Sequence, residues 1–185
     1  MDGHIFACLS KKHYTYQSMK KTLLLLTLIL AGAPAFSQSH KFQSVFIYSF
    51  TKYVQWPEAY NQGDFEILVL GDCPILEELK AMAAAKKAQG DRTIKVTKIN
   101  SPADIKKCNI LYVPATKSGQ LDGVLAKVNT QSILVITEEP GLGAKGSDIN
   151  FIMKDGKLGF EINQAAVSKQ SLKVSIELTR LAVLI

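Results

Sequence analysis

Phe65-Glu66-Ile67-Leu68-Val69-Leu70-Gly71-Asp72-Cys73-Pro74 is the stretch on which the fold class turns. Its opening residues form a short apolar, β-rich run that Gly71 closes. Asp72 is placed to cap a helix, and Pro74 falls in a first turn, where its missing N–H costs little. The order predicts a strand that feeds directly into a helix running to Ala88.

Moving outward, the same alternation repeats. Thr93 to Ile99 reads as a strand carrying Ile94, Val96 and Ile99. Ser101-Pro102-Ala103-Asp104 reads as a capped short helix, and Asn109 to Val113 as a buried strand. Leu121, Val124, Leu125 and Val128 recur at helical spacing, and Ser132 to Thr137 is apolar again before the turn-rich Glu138 to Gly146. Ile149 to Met153 and Lys157 to Ile162 flank Asp155-Gly156, a pair that favours a hairpin turn because both turn positions want positive φ. Asn163 caps a turn of helix reaching Lys169, and a last helix carries Val174, Ile176, Leu178, Leu181, Ala182 and Leu184. Upstream, Phe42, Val45, Phe46, Phe50, Tyr53 and Val54 form the apolar stripe of a helix that stops at Trp56-Pro57, since proline biases its predecessor away from helix. The expected fold is α/β: a mainly parallel sheet of about six strands with helices on both faces and a C-terminal antiparallel hairpin.

Met19-Lys20-Lys21-Thr22, the apolar run Leu23 to Leu30, and Ala31-Gly32-Ala33-Pro34-Ala35-Phe36-Ser37 follow the order of a secretory signal peptide: positive start, short apolar run, small residues for cleavage. Met19 reads as the start, with cleavage after Ala35 or Ser37. Residues 1–37 are thus a precursor region, and 38–185 one α/β domain of ordinary size. A membrane span needs about 20 apolar residues. This run is broken by Gly32 and Pro34, so an exported, soluble product is expected.

The formal net charge is +6, and residues 1–37 contribute four lysines against one aspartate, leaving +3 on the mature part. The remaining lysines are interleaved with acids over many elements, which reads as a solvated surface and not as a nucleic-acid site. Histidine occurs only at 4, 13 and 40, which argues against triad or His-based acid–base chemistry. Neither histidine nor cysteine supplies a zinc ligand set. Gly141-Leu142-Gly143-Ala144-Lys145-Gly146 matches a dinucleotide-binding string, but a strand and hairpin follow it where a helix N-terminus is required. Asp72, Glu138, Glu139 and Glu161 lie near strand ends; capping accounts for Asp72 and turn solvation for Glu138 and Glu139. No catalytic residue, cofactor or metal is expected, and the chain reads as a binding module and not an enzyme.

Trp56, with Tyr48, Tyr53 and Tyr60 nearby, suits an aromatic recognition surface, but core packing of the first helix is the favoured reading for Tyr53 and Trp56. Cys73 and Cys108 survive maturation. An oxidising compartment favours their pairing. Parallel strands about 17 to 20 Å long would hold them at opposite ends, beyond the Cα separation of about 7 Å that a disulfide tolerates. The pairing stays open.

Phe46-Ile47-Tyr48-Ser49-Phe50-Thr51-Lys52-Tyr53-Val54-Gln55-Trp56-Pro57, Leu68 to Asp72, Cys108 to Val113, Gly159-Phe160-Glu161-Ile162-Asn163 and Leu178 to Ala182 together resemble the YfiR family of exported proteins (DUF4154), in order along nearly the whole mature chain. The resemblance implies a periplasmic α/β domain, often a homodimer. Its best understood members restrain an inner-membrane diguanylate cyclase by binding its periplasmic sensor region, so that envelope stress or redox change releases cyclic-di-GMP synthesis. Related domains also occur beside sensor kinases. On that basis the partner surface is expected on the first helix, at Tyr48, Lys52 and Trp56. The alternative, a periplasmic small-ligand or sensory module, places its ligand at the strand ends, at Gly71, Asp72, Glu161 and Asn163.

Overall fold

A computed structural model describes residues 35–129 and 131–185. The first half runs α1 (Ala35–Tyr53), β1 (Val54–Gln55), β2 (Phe65–Leu70), α2 (Ile75–Ala85), β3 (Ile94–Ile99), β4 (Ile110–Val113) and α3 (Leu121–Val128). The second half runs β5 (Leu134–Thr137), β6 (Ile149–Lys154), β7 (Lys157–Ile162), α4 (Gln164–Lys169), β8 (Lys173–Val174), α5 (Ile176–Thr179) and β9 (Val183–Leu184). The leader expected over residues 1–37 lies, up to residue 34, outside the described residues, while 39–185 pack as one compact unit.

The main sheet has seven strands in the order β3-β2-β4-β5-β6-β7-β9. β3 through β6 are parallel, β6 and β7 antiparallel, and β9 runs parallel to β7. Alternation along each strand sends side chains to opposite faces. Ile67, Val69, Ile110, Tyr112, Leu134 and Ile136 meet α1, α2 and the C-terminal segment on one face. Leu68, Leu70, Leu111, Val113 and Val135 meet α3 on the other. With both faces covered, β4 and β5 are buried at every residue, which is why those runs read as continuously apolar.

The mainly parallel α/β class is borne out, as are the bounds of α3 and the hairpin turn, where Asp155 and Gly156 take φ of 51° and 72°. Asn163 caps α4, its Oδ1 accepting from the Ala166 N–H at 3.0 Å. Four expectations need correction. α1 ends at Tyr53, because Val54 and Gln55 pair antiparallel with Val174 and Lys173. α2 starts at Ile75, and Asp72 does not cap it: that carboxylate takes the Lys98 ammonium at 2.8 Å. The last helix shrinks to α5, since Val174 and Val183 on either side of it are drawn into ladders with β1 and β7. The sheet therefore has seven strands, and β9 extends it beyond the hairpin.

Candidate functional site

α1 is held by its inner face. Phe46 and Phe50 pack with Phe151 and Phe160 of the hairpin at centroid separations of 5.2 to 6.2 Å. The Gln43 amide donates to Glu138 Oε2 at 3.0 Å and shares a 2.9 Å hydrogen bond with His40 Nδ1. Those contacts set the rotation of the helix. Ile47, Phe50, Thr51 and Val54 are fully buried, while Phe42 (57% exposed), Val45 (56%) and Tyr53 (45%) face outward. The outward residues, with Ser49 among them, fall within about a quarter turn of one another. At the Tyr53 end Ile176 is exposed too, following Ser175, whose N–H donates to the Tyr53 carbonyl at 2.9 Å.

The apolar stripe read from the sequence therefore splits: Phe50 and Val54 go in, and Phe42, Val45 and Tyr53 stay out. Of the nominated contact residues, Trp56 is core, 6% exposed; its indole N–H donates to the Asn109 carbonyl at 3.2 Å, and its ring meets Phe65 edge-on. Packing accounts for Trp56 but not for Tyr53. Tyr48 is half-buried with the ammoniums of Lys52 and Lys86 over its ring, and Lys52 Nζ donates to the Ala88 carbonyl at 3.1 Å. These two side chains tie α1 to the segment after α2 and flank the outer stripe.

The strand ends carry two polar clusters, one on each face. β2 leads to β3 on one side and β4 lies on the other, so the chain reverses direction across the sheet between β2 and β4, the place where open α/β sheets hold ligands. There Glu138 accepts from Tyr112 Oη at 2.5 Å, from Gln43 and from the Ala115 N–H at 2.9 Å. Gly71 takes φ of +79°, and a Cβ there would sit 2.6 Å from Lys117 Cε, so only glycine lets the lysine stem lie across the end of β2. On the opposite face Thr137 donates to Asn150 at 2.7 Å, Asn150 donates to Glu161 at 3.2 Å, and Asn163 donates to the Gly143 carbonyl at 2.9 Å. The four nominated ligand residues are thus brought together only in pairs: Gly71 with Asp72, and Glu161 near Asn163. The hub of the first cluster, Glu138, reads from sequence as a solvated turn residue. The signal that finds it is Tyr112, a tyrosine inside a buried strand, whose hydroxyl must reach a partner.

The family model for YfiR/HmsC-like proteins (DUF4154) matches residues 40–183, from the second turn of α1 into β9. The chain belongs to the YfiR/HmsC-like family. That family comprises periplasmic regulators in cyclic-di-GMP signalling that act with membrane signalling proteins. Comparison with curated proteins returns no match.

Within this YfiR-like fold Cys73 and Cys108 are free thiols. Cys73 follows β2 and packs on the α1 face, whereas Cys108 precedes β4 and lies in the α3 core, so they sit at opposite ends and on opposite faces of the sheet. Burial, and then the Glu138 charge, push the Cys73 thiol up to about 11, and burial pushes Cys108 up to about 12. Both are protonated at neutral pH, which makes them weak nucleophiles. Burial, reinforced by Glu138, also drives the Tyr112 hydroxyl far above its ordinary range. Asp148 is buried where β6 begins. Its Oδ2 accepts from the Val135 N–H at 2.7 Å while Oδ1 has no partner among the described residues, and burial raises its carboxyl to about 7. Among the described residues no group of three or more His, Cys, Asp or Glu is placed to hold a metal ion, and no helix is long and apolar enough to cross a membrane.

Proposed function

We propose that residues 38–185, released from a signal peptide within residues 1–37, act in the periplasm without catalysis. The domain binds the periplasmic part of a membrane signalling protein, such as a diguanylate cyclase or a sensor kinase, and holds it inactive. The observation that carries this reading is the outer stripe of α1, where Phe42, Val45 and Tyr53 stand about half uncovered beside Ile176. Phe42 and Val45 are spaced i, i+3 as anchors of a helix laid into an apolar groove, and Tyr53 lies on the same face beyond Ser49. Removing such surface from water is favourable by about 25 cal/mol per Å². The inner face makes α1 a rigid mount, so docking orders little that is not already ordered. Tyr48 and Lys52 would form the rim of the contact, with Trp56 behind it as support.

In-cell crosslinking of the tagged chain, with mass spectrometry of what is captured from the inner membrane, tests this. One signalling protein with a periplasmic domain is expected, and it should vanish when Phe42→Asp and Val45→Asp are combined. Recovery of self-crosslinks alone would turn the same face into a homodimer contact and remove the regulator reading. A small-ligand role at Gly71, Asp72, Glu161 and Asn163 is the second reading. Its support is the position of Gly71 and Asp72 at the reversal point of the sheet, and a thermal-shift screen with Asp72→Ala as control tests it.

A further inference from the structure

At the opposite edge of the sheet, where β2 and β3 begin, lies a cavity of about 380 Å³ whose wall includes Gln55, Trp56, Asn61, Phe65, Gln89 and Arg92. Among the described residues its single cation is Arg92, and no acidic side chain lines it. The guanidinium is partly buried and fixed. Nε donates to the Gly63 carbonyl at 2.9 Å, Nη2 to the Asp64 carbonyl at 2.8 Å and to Asn109 Oδ1 at 3.4 Å, and its plane lies 5.3 Å from the Phe65 ring centroid. All of these partners are neutral. The nearby Asp64 carboxylate is bound to Lys95 at 2.5 Å, and among the described residues no carboxylate forms an ion pair with Arg92. Nη1 has no protein acceptor among the described residues. Burial lowers its pKa from the usual arginine range, with the nearby Asp64 charge pulling the other way.

A partly buried cation that is fixed by neutral acceptors and forms no direct ion pair has room to receive an anion from outside. We propose that this cavity binds a small organic monocarboxylate, its carboxylate paired with Arg92 and its body held by the amides of Gln55, Asn61 and Gln89. One positive charge and no second cation in the wall match a monoanion and not a phosphate dianion. A volume near the lower end of the usual range for small-molecule sites limits the body to about the size of an amino acid. Gln55 and Gln89 are exposed side chains from β1 and from the turn before β3, so they can close on a ligand without disturbing the core. Asn61 already gives its Nδ2 to the Trp56 carbonyl at 3.1 Å and offers its carbonyl oxygen. The proposal is independent of the partner surface on α1.

The test uses the purified chain in calorimetric titrations and thermal-shift scans with benzoate, phenylacetate, N-acetylglycine and pyroglutamate, against benzamide, phenylacetamide and inorganic phosphate. At least one carboxylate is expected to bind saturably, at least tenfold more tightly than its amide counterpart and than phosphate, and Arg92→Gln should weaken it at least tenfold. Because Arg92 also anchors the Gly63 and Asp64 carbonyls, the double variant Gln55→Leu, Gln89→Leu is the second probe. It leaves those anchors in place and should weaken binding at least threefold. The proposal is overturned if no carboxylate binds saturably, if amide and carboxylate bind alike, if folded Arg92→Gln retains the affinity, or, where that variant does not fold, if the double glutamine variant retains it.

Discussion

Helix α1 turns Ile47, Phe50 and Thr51 into the sheet with no exposed surface, and on its other side leaves Phe42, Val45 and Tyr53 about half uncovered. Both sides are mainly apolar. The inner one is matched by Phe151, Phe160 and the Glu138 cluster, whereas the outer one has no such match among the described residues. Hydrophobicity alone therefore does not distinguish a core face from a docking face. What distinguishes them is whether shape and hydrogen-bond partners exist on the same chain.

The largest way to break this comparison is Phe50→Ala, which opens a cavity between α1 and the hairpin and should cost about 3–5 kcal/mol in urea denaturation. Tyr112→Phe removes a buried hydrogen bond to the Glu138 carboxylate and should cost about 1.5–3 kcal/mol in the same measurement. A loss of less than half of that would mean the cluster does not anchor the inner face. Asp148, held by β5 and not by α1, gives a pH-dependent control. Its folded pKa of about 7 lies above its ordinary value of 3.8, so the native state binds the extra proton between these limits. Its contribution makes stability fall as pH rises from about 4 to about 7 and level off above. Asp148→Asn should flatten that slope in melting temperature against pH. At pH 8 it should be more stable than the parent because a buried carboxylate charge is removed, and by only on the order of 1 kcal/mol because the new amide N–H lacks a partner. The smallest stability effect belongs to the outer face: Phe42→Ser and Val45→Ser should each stay within about 0.5 kcal/mol in denaturation while partner capture is lost. A cost above about 1.5 kcal/mol for either would mean that the outer face is core.

Much of the fold was legible because its signals are local. The Phe65 to Pro74 stretch reads as strand then helix, Leu121 to Val128 as an amphipathic helix, and Asp155-Gly156 as a turn, each from neighbouring residues. The rotation of α1 was not legible, because Phe151 and Phe160, about a hundred residues away in the chain, fix it. For the same reason Tyr53, a member of the apolar stripe, stays outside, while Trp56 beyond the helix is core. β8 and β9 were hidden inside a run with helical spacing, since only pairing with β1 and β7 makes those residue pairs strands. Glu138 reads as a solvated turn charge, and nothing in the sequence singles out Arg92. Their meaning lies in what surrounds them: three donors around the carboxylate, and a guanidinium held only by neutral acceptors.

The central claim is that the outer face of α1 is where a membrane signalling protein docks. Photo-crosslinking in living cells, with the probe residue at Val45 and, as control, at the exposed Gln62, tests it most directly. The account predicts a crosslink from Val45 to the periplasmic part of one inner-membrane signalling protein, abolished by Phe42→Asp, and none from Gln62. Capture of such a protein from Gln62 but not from Val45, or a Val45 crosslink that survives Phe42→Asp unchanged, would contradict it.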